Sequence, residues 1–221
     1  MHPKLPALQQ GLAALGLSLG EDQQVQLLAY LDLIAKWTKV YNLTAVRDAD
    51  EMLTHHLLDS LAVIAPLRRE LAKLPVAEGD SAQRAFSLLD VGAGAGLPGI
   101  VIAIACPNIS VTCVDTVAKK AAFIQQVAAT LKLPNLKGLH ARVESLTHPY
   151  DVVCSRAFAS LLDFTTWSRS ALAPHGVWMA MKGKHPHDEL AVLPANTTVF
   201  HVEQLQVPGL DAERCIVWMR G

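Results

Sequence analysis

Three glycines at alternate positions, Gly92, Gly94 and Gly96, break the apolar stretch LLDVGAGAGLPGI, and Asp115 follows about twenty residues after them. Glycine at such places lets the backbone turn tightly and come close to a ligand. A helix starting near Leu97 is expected to present free amides there, and Pro98 fits its first turn, where an amide has no helical partner. An acidic side chain at the end of the next strand accepts hydrogen bonds from ribose hydroxyls. A nucleoside-bearing ligand is the chemistry these residues fit. Counted from Gly92 the pattern is GxGxG with Leu97 in sixth place, which fails the dinucleotide GxGxxG; counted from Gly94 it passes, through Gly96 and Gly99. NAD and S-adenosylmethionine both carry the ribose, so the motif leaves both open.

Other groups gather at the same expected strand ends. Val143 and Glu144, in ARVESL, are placed to meet an adenine ring with a backbone amide and a carboxylate. Arg156, just past the fourth apolar run, is expected to project into the cleft and touch cofactor or RNA. His56, Asp59 and Ser60 share one helix side by their i, i+3 and i+4 spacing, and either hold the first segment to the site or touch RNA; Asn42 and Thr44 carry the same two readings. Lys182, Lys184, His185 and His187 cluster after a further apolar run, and Arg47, Lys119, Lys120 and Arg142 extend that basic set. With a net charge of −1, the chain as a whole does not attract nucleic acid, so any contact with RNA phosphates needs a local patch of this kind. The four cysteines, 106, 113, 154 and 215, form no CxxC pair and have no histidine at metal-ligand spacing; buried thiols and no metal are expected.

The elements that must position these groups fall into two parts. Residues 1–84 read as a helical cap with a linker. A short amphipathic helix opens it, followed by a helix of about five turns with a Ser18–Glu21 capping box and an apolar face of Leu27, Leu28, Leu31, Ile34 and Ala35. A further helix spans about Asp50 to Ile64 on a stripe of Leu53, Leu57, Leu61 and Ile64, and Pro75–Arg84 is polar linker. From residue 85 to 221, β-branched runs at Phe86–Val91, Ile109–Val114, Leu136–His140 and Asp151–Cys154 alternate with helical stretches. This is the signature of a largely parallel sheet with helices on both faces. GVWMAMKG adds a fifth strand, and TTVFHVEQLQV with ERCIVWMR an antiparallel pair at one edge. The apolar run Leu97–Cys106 falls well short of the roughly twenty residues a bilayer needs, so no membrane span is expected and a cytoplasmic protein is. A dehydrogenase normally needs a further domain or long insertions for its substrate; a transferase whose cofactor carries the reactive group needs less.

The ordered set NLTAVRD, HHLLDSLAV, DVGAGAGLPGI, KKAAFI, ARVES, SRAFASL, MKGKHPHDE and LQVPGLDAER resembles the RsmG (GidB) family, bacterial methyltransferases that modify guanine N7 in small-subunit (16S) ribosomal RNA. The resemblance implies a Rossmann-like class I methyltransferase fold with a seven-stranded sheet, S-adenosylmethionine as cofactor, and 16S rRNA or the small subunit as partner. It also implies cofactor contacts from Gly92, Leu97, Val143, Glu144 and Arg156, with Asp115 at the family's acidic position on strand two. The residues suit that chemistry. Guanine N7 has an in-plane lone pair and no proton to lose, so positioning and electrostatics suffice without a general base. After the fourth strand stands SRAFAS rather than the Asn/Asp-Pro-Pro-aromatic motif of exocyclic-amine methylation. A monomer is expected, acting on a splayed loop base. An NAD-linked oxidoreductase and a non-catalytic RNA-binding module are the competing classes.

Overall fold

A computed structural model describes residues 1–44, 46, 48–74, 86–156, 158 and 160–221, with Ala49 and Asp50 as backbone alone. The linker expected at 75–84 lies outside the described residues. Helix α1 (Leu5–Ala14) leads into α2 (Glu21–Tyr41). The expected Ser18–Glu21 box does not form. Gly20 is the N-cap, in extended conformation, and its amide donates to Gln23 Oε1 at 3.0 Å, so one half of a box forms two residues later, with Glu21 and Asp22 in the first turn facing the helix dipole. The helix expected over 50–64 is interrupted: α3 (Ala49–Met52) passes through a π-helical turn, Leu53–Leu58, into α4 (Asp59–Leu61), with α5 (Ile64–Leu71) following. Leu53, Leu57, Leu61 and Ile64 are all buried, as the stripe requires.

The second part alternates β1 (Phe86–Val91), α6 (Gly99–Ala105), β2 (Ile109–Asp115), α7 (Ala118–Thr130), β3 (Leu136–His140), β4 (Tyr150–Arg156), α8 (Leu161–Ser168), β5 (Leu172–Lys182), α9 (His187–Ala191), β6 (Thr198–Leu205) and β7 (Arg214–Arg220). The sheet has seven strands in the order β3-β2-β1-β4-β5-β7-β6. Strands β1 to β5 run parallel, and β7 lies antiparallel between β5 and β6, so the closing antiparallel pair at the edge is present.

Successive strand residues face opposite sides of the sheet, and the core divides accordingly. Leu88, Val152, Cys154 and Met179 join one apolar cluster with α6, α7 and the leucines of the cap. Leu89, Val91, Val153 and Trp178 join the other, with Leu161 and Phe164 of α8. The cap therefore packs over one sheet face and shares its core. Polar ties reinforce the contact: Tyr30 Oη donates to Ala95 O at 2.7 Å, Gln23 Nε2 to Ile104 O at 2.7 Å and Arg68 Nη2 to Ala105 O at 2.9 Å. All four cysteines are free and buried. Among the described residues there is no helix long and apolar enough to cross a membrane, and no cluster of side chains suited to a metal.

Candidate active site

The glycine turn stands at the carboxyl end of β1, with Gly92, Gly94 and Gly96 at φ +66°, +60° and +86°. These left-handed values are why glycine occupies all three places. Most of the turn's amides are already committed within the chain. Those of Gly92 and Ala93 donate to Val114 O, those of Gly96 and Leu97 to Ala93 O, and that of Gly94 to Asp115 Oδ2 at 2.9 Å. Helix α6 begins at Gly99 rather than near Leu97, is buried throughout, and places its first amide on Asp90 Oδ2 at 2.8 Å. Most of the amides expected to be free at a helix N-terminus thus have partners within the chain, and the turn offers shape more than donors.

A cavity of about 460 Å³ opens beside it, between the ends of β1, β2 and β3. Gly92, Asp115, Val143 and Glu144 line it, as expected, together with Lys120, Arg142, Phe158 and Trp167. Gly94, Gly96 and Leu97 are not on its wall; they hold the turn that shapes it, and Leu97 is buried in the core. Asp115 is held rigidly. Its Oδ1 accepts from the Val117 amide at 2.8 Å, its Oδ2 from Gly94, and Lys120 Nζ lies 3.7 Å away. Val143 and Glu144 sit on a single 3₁₀ turn after β3, which buries the valine and leaves the carboxylate exposed.

Arg156 does not join this group. It lines a second cavity of about 430 Å³, with Thr44, Val46, His55, His56, Asp59, Met181, Lys182 and Arg214. Its Nη1 donates to His55 O at 2.9 Å and to Asp59 Oδ2 at 3.0 Å, while Arg214 Nε donates to Asp59 Oδ1 at 2.9 Å. Asp59, only 2% exposed, is therefore gripped by two guanidinium groups from two strands. The π-helical turn directly before Asp59 presents His55's carbonyl to the same arginine; such turns frequently mark functional sites. His56 Nε2 lies 3.0 Å from Thr44 Oγ1. Burial and the charge of Arg156 push its pKa down to about 4, so the ring is neutral at physiological pH. Of these three, Asp59 ties the cap to the sheet through its two arginines, His56 pairs within the cap with Thr44, and the buried Ser60 hydroxyl has no hydrogen-bond partner among the described residues.

The basic set is dispersed. Lys182 Nζ is paired with Glu189, at 2.8 and 2.9 Å, and its side chain is 12% exposed. Glu189 also accepts the Leu161 amide at 2.6 Å. Lys184 and His187 are exposed beside His185, whose ring lies 4.0 Å from that of His187. Lys119 stands over the Tyr41 ring, and Asn42 ends α2 in left-handed conformation at φ 52°. Arg47 lies outside the described residues.

A family model described as rRNA small subunit methyltransferase G (GidB) matches residues 23–217. The chain belongs to this family. Curated relatives named Ribosomal RNA small subunit methyltransferase G include one from Polaromonas sp., 70% identical over 96% of this chain and 92% of its own length, and one from Acidovorax ebreus, 67% identical over 97% and 94%. The fold also matches solved structures: TrmN from Thermus thermophilus (TM-score 0.54, 17% identity, 76% of this chain and 53% of that one) and a SAM dependent methyltransferase from Aquifex aeolicus (0.53, 15%, 73% and 92%). At such identities the likeness is one of fold, the Rossmann-like class I methyltransferase fold. Arg214, Phe158, Trp167 and Glu189 did not stand out in the sequence. Arg214 had a signal: an arginine opening an antiparallel last strand must lie at the same sheet edge where the parallel strands end. The aromatic pair had none, because both follow β4 in a segment that reads as connecting chain.

Proposed function

We propose that the protein transfers a methyl group from S-adenosylmethionine to N7 of a guanine in small-subunit ribosomal RNA. The observation that carries this reading is family membership joined to a cavity at the carboxyl ends of β1, β2 and β3, beside the switch point between β1 and β4 where the strand order reverses. The residues there fit the cofactor. About 460 Å³ is within the range of a site for a small organic ligand. Asp115, fixed by two amides, keeps lone pairs for ribose hydroxyls. Glu144 and the backbone of Val143 suit an adenine edge, and Phe158 and Trp167 supply aromatic surface. When bound, the cofactor supplies an electrophilic methyl group on a sulfonium centre. The chain's own part is to hold and to orient, because N7 has no proton for a base to remove. Lys184, with His185 and His187, is suited to phosphate contacts at the rim. In this reading the working unit is a monomer and its place is the cytoplasm, with the ribosomal RNA.

The test is methyl transfer from labelled S-adenosylmethionine to small-subunit RNA, with the modified nucleoside identified by mass spectrometry, beside calorimetry with S-adenosylhomocysteine and NAD. Label in 7-methylguanosine is the expected result. Tight NAD binding without response to S-adenosylhomocysteine would return the oxidoreductase, and cofactor binding without transfer to any RNA would return the binding module.

A further inference from the structure

We infer that the second cavity, between the cap's π-helical turn and the site ends of β4, β5 and β7, receives the acceptor base, and that Arg156 and Arg214 select guanine there by meeting its O6. This rests on the methyltransferase reading and adds where the base goes and what reads it. The two cavities are neighbours across one short segment: Arg156 lines the second and Phe158 the first, and Lys182, on the wall of the second, donates to the Phe158 carbonyl at 3.4 Å. A base in the second cavity therefore stands next to whatever fills the first. Met181 and Val46 give the wall an apolar part for a ring face.

The polar lining has a definite sense. A guanidinium offers five N–H donors and no acceptor. Asp59, the carboxylate on this wall, has each oxygen engaged by one arginine, and His55 O takes a further bond from Arg156. Arg214 gives Nη1 to the carbonyl of Glu213. Among the described residues, Nη2 of both arginines keeps its protons for a ligand. Guanine shows an acceptor at O6; adenine shows an amino donor at the equivalent place. Adenine would set donors against donors at this place, while guanine completes the pairing through O6, with N7 the neighbouring acceptor on the same edge. The Asp59 carboxylate is thus a positioning residue: it fixes two donors at once and, being buried, allows them little choice of direction.

Two variants test this, each checked for its fold by circular dichroism. With S-adenosylhomocysteine saturating the first cavity, the wild-type protein is expected to bind guanosine 5′-monophosphate at least tenfold more tightly than adenosine 5′-monophosphate, and Arg214→Gln to erase that preference while keeping S-adenosylhomocysteine affinity within about twofold. Should Arg214→Gln not fold, Val46→Trp fills the cavity while Asp59 and both arginines remain in the chain. It is expected to block guanosine monophosphate and to lower kcat/KM for small-subunit RNA at least tenfold, again with cofactor affinity kept. Equal binding of the two nucleotides by the wild type overturns the inference, as does wild-type transfer by Val46→Trp. So does loss of cofactor affinity in step with transfer, which would make the cavity part of the cofactor site. A wild-type protein that selects guanosine monophosphate yet methylates no RNA would instead sink the proposed function.

Discussion

Asp90 and His56 are two buried titratable residues whose environments pull in opposite senses. Burial pushes the Asp90 carboxyl up to about 7, against partial opposition from the Gly99 amide and the charge of Arg156. His56 is pushed down to about 4. A carboxyl whose folded pKa is raised contributes stability that is full below the unfolded value of 3.8 and is lost as pH rises through 7. A histidine whose folded pKa is depressed contributes stability that is full above 6.5 and is lost as pH falls through 4. Between these limits the slopes oppose, each at most about 1.4 kcal/mol per pH unit. Asp90→Asn is therefore expected to make stability rise more steeply with pH from about 4 to 6.5, and His56→Gln to tilt it the other way, as read from urea unfolding across that window. Parallel curves for all three proteins would show that neither group is perturbed. Asp115 affects the fold as well as the ligand. Asp115→Ala removes a charged acceptor from two amides and is expected to lower stability by about 1–3 kcal/mol, besides weakening S-adenosylhomocysteine binding in calorimetry; unchanged stability would mean the turn holds itself.

At the scale of elements, the glycine turn separates backbone strain from packing. A Cβ at Gly94 meets only the Gly92 carbonyl at an ordinary 3.9 Å, leaving left-handed strain of about 1–2 kcal/mol. At Gly96 a Cβ would clash with Ile100 Cδ1 in the packed core, which adds about 1–3 kcal/mol of overpacking. Gly96→Ala should thus unfold at clearly lower denaturant than Gly94→Ala; equal midpoints would refute the packing term. The turn, the strands and their edge pairing were legible in the sequence because period and punctuation report burial and backbone conformation directly. Asp115, Val143 and Glu144 followed from their places at strand ends. The direction of Arg156 did not, since a strand end fixes where a long side chain starts and not which partner it finds 97 residues away in Asp59. The π-helical turn was equally hidden: its leucine stripe fits an α-helix, and the extra residue per turn shows only when the Asp59 carboxylate meets its arginines. The Ser18 box failed because the helix begins at Glu21, two residues later than a cap at Ser18 requires, and Gln23 takes the Gly20 amide instead.

For the molecule as a whole, cap and sheet share one apolar cluster, so they are expected to unfold together. Tyr30 ties them at the glycine turn itself, through Ala95. Tyr30→Phe should lower stability by about 1–3 kcal/mol by leaving that carbonyl unpaired, with far-ultraviolet and tryptophan signals still moving in a single transition; two separated transitions would show that the cap folds by itself. The reversed course of β7 has a different outcome. It pairs Cys215 with Lys182 and Met219 with Trp178, so Arg214 stands at the ligand end of the sheet while Gly221 comes to rest beside Arg169 and Trp178, at the opposite pole. An affinity handle or surface tether joined after Gly221 would therefore leave both cavities facing outward, open to an RNA as bulky as a ribosomal particle.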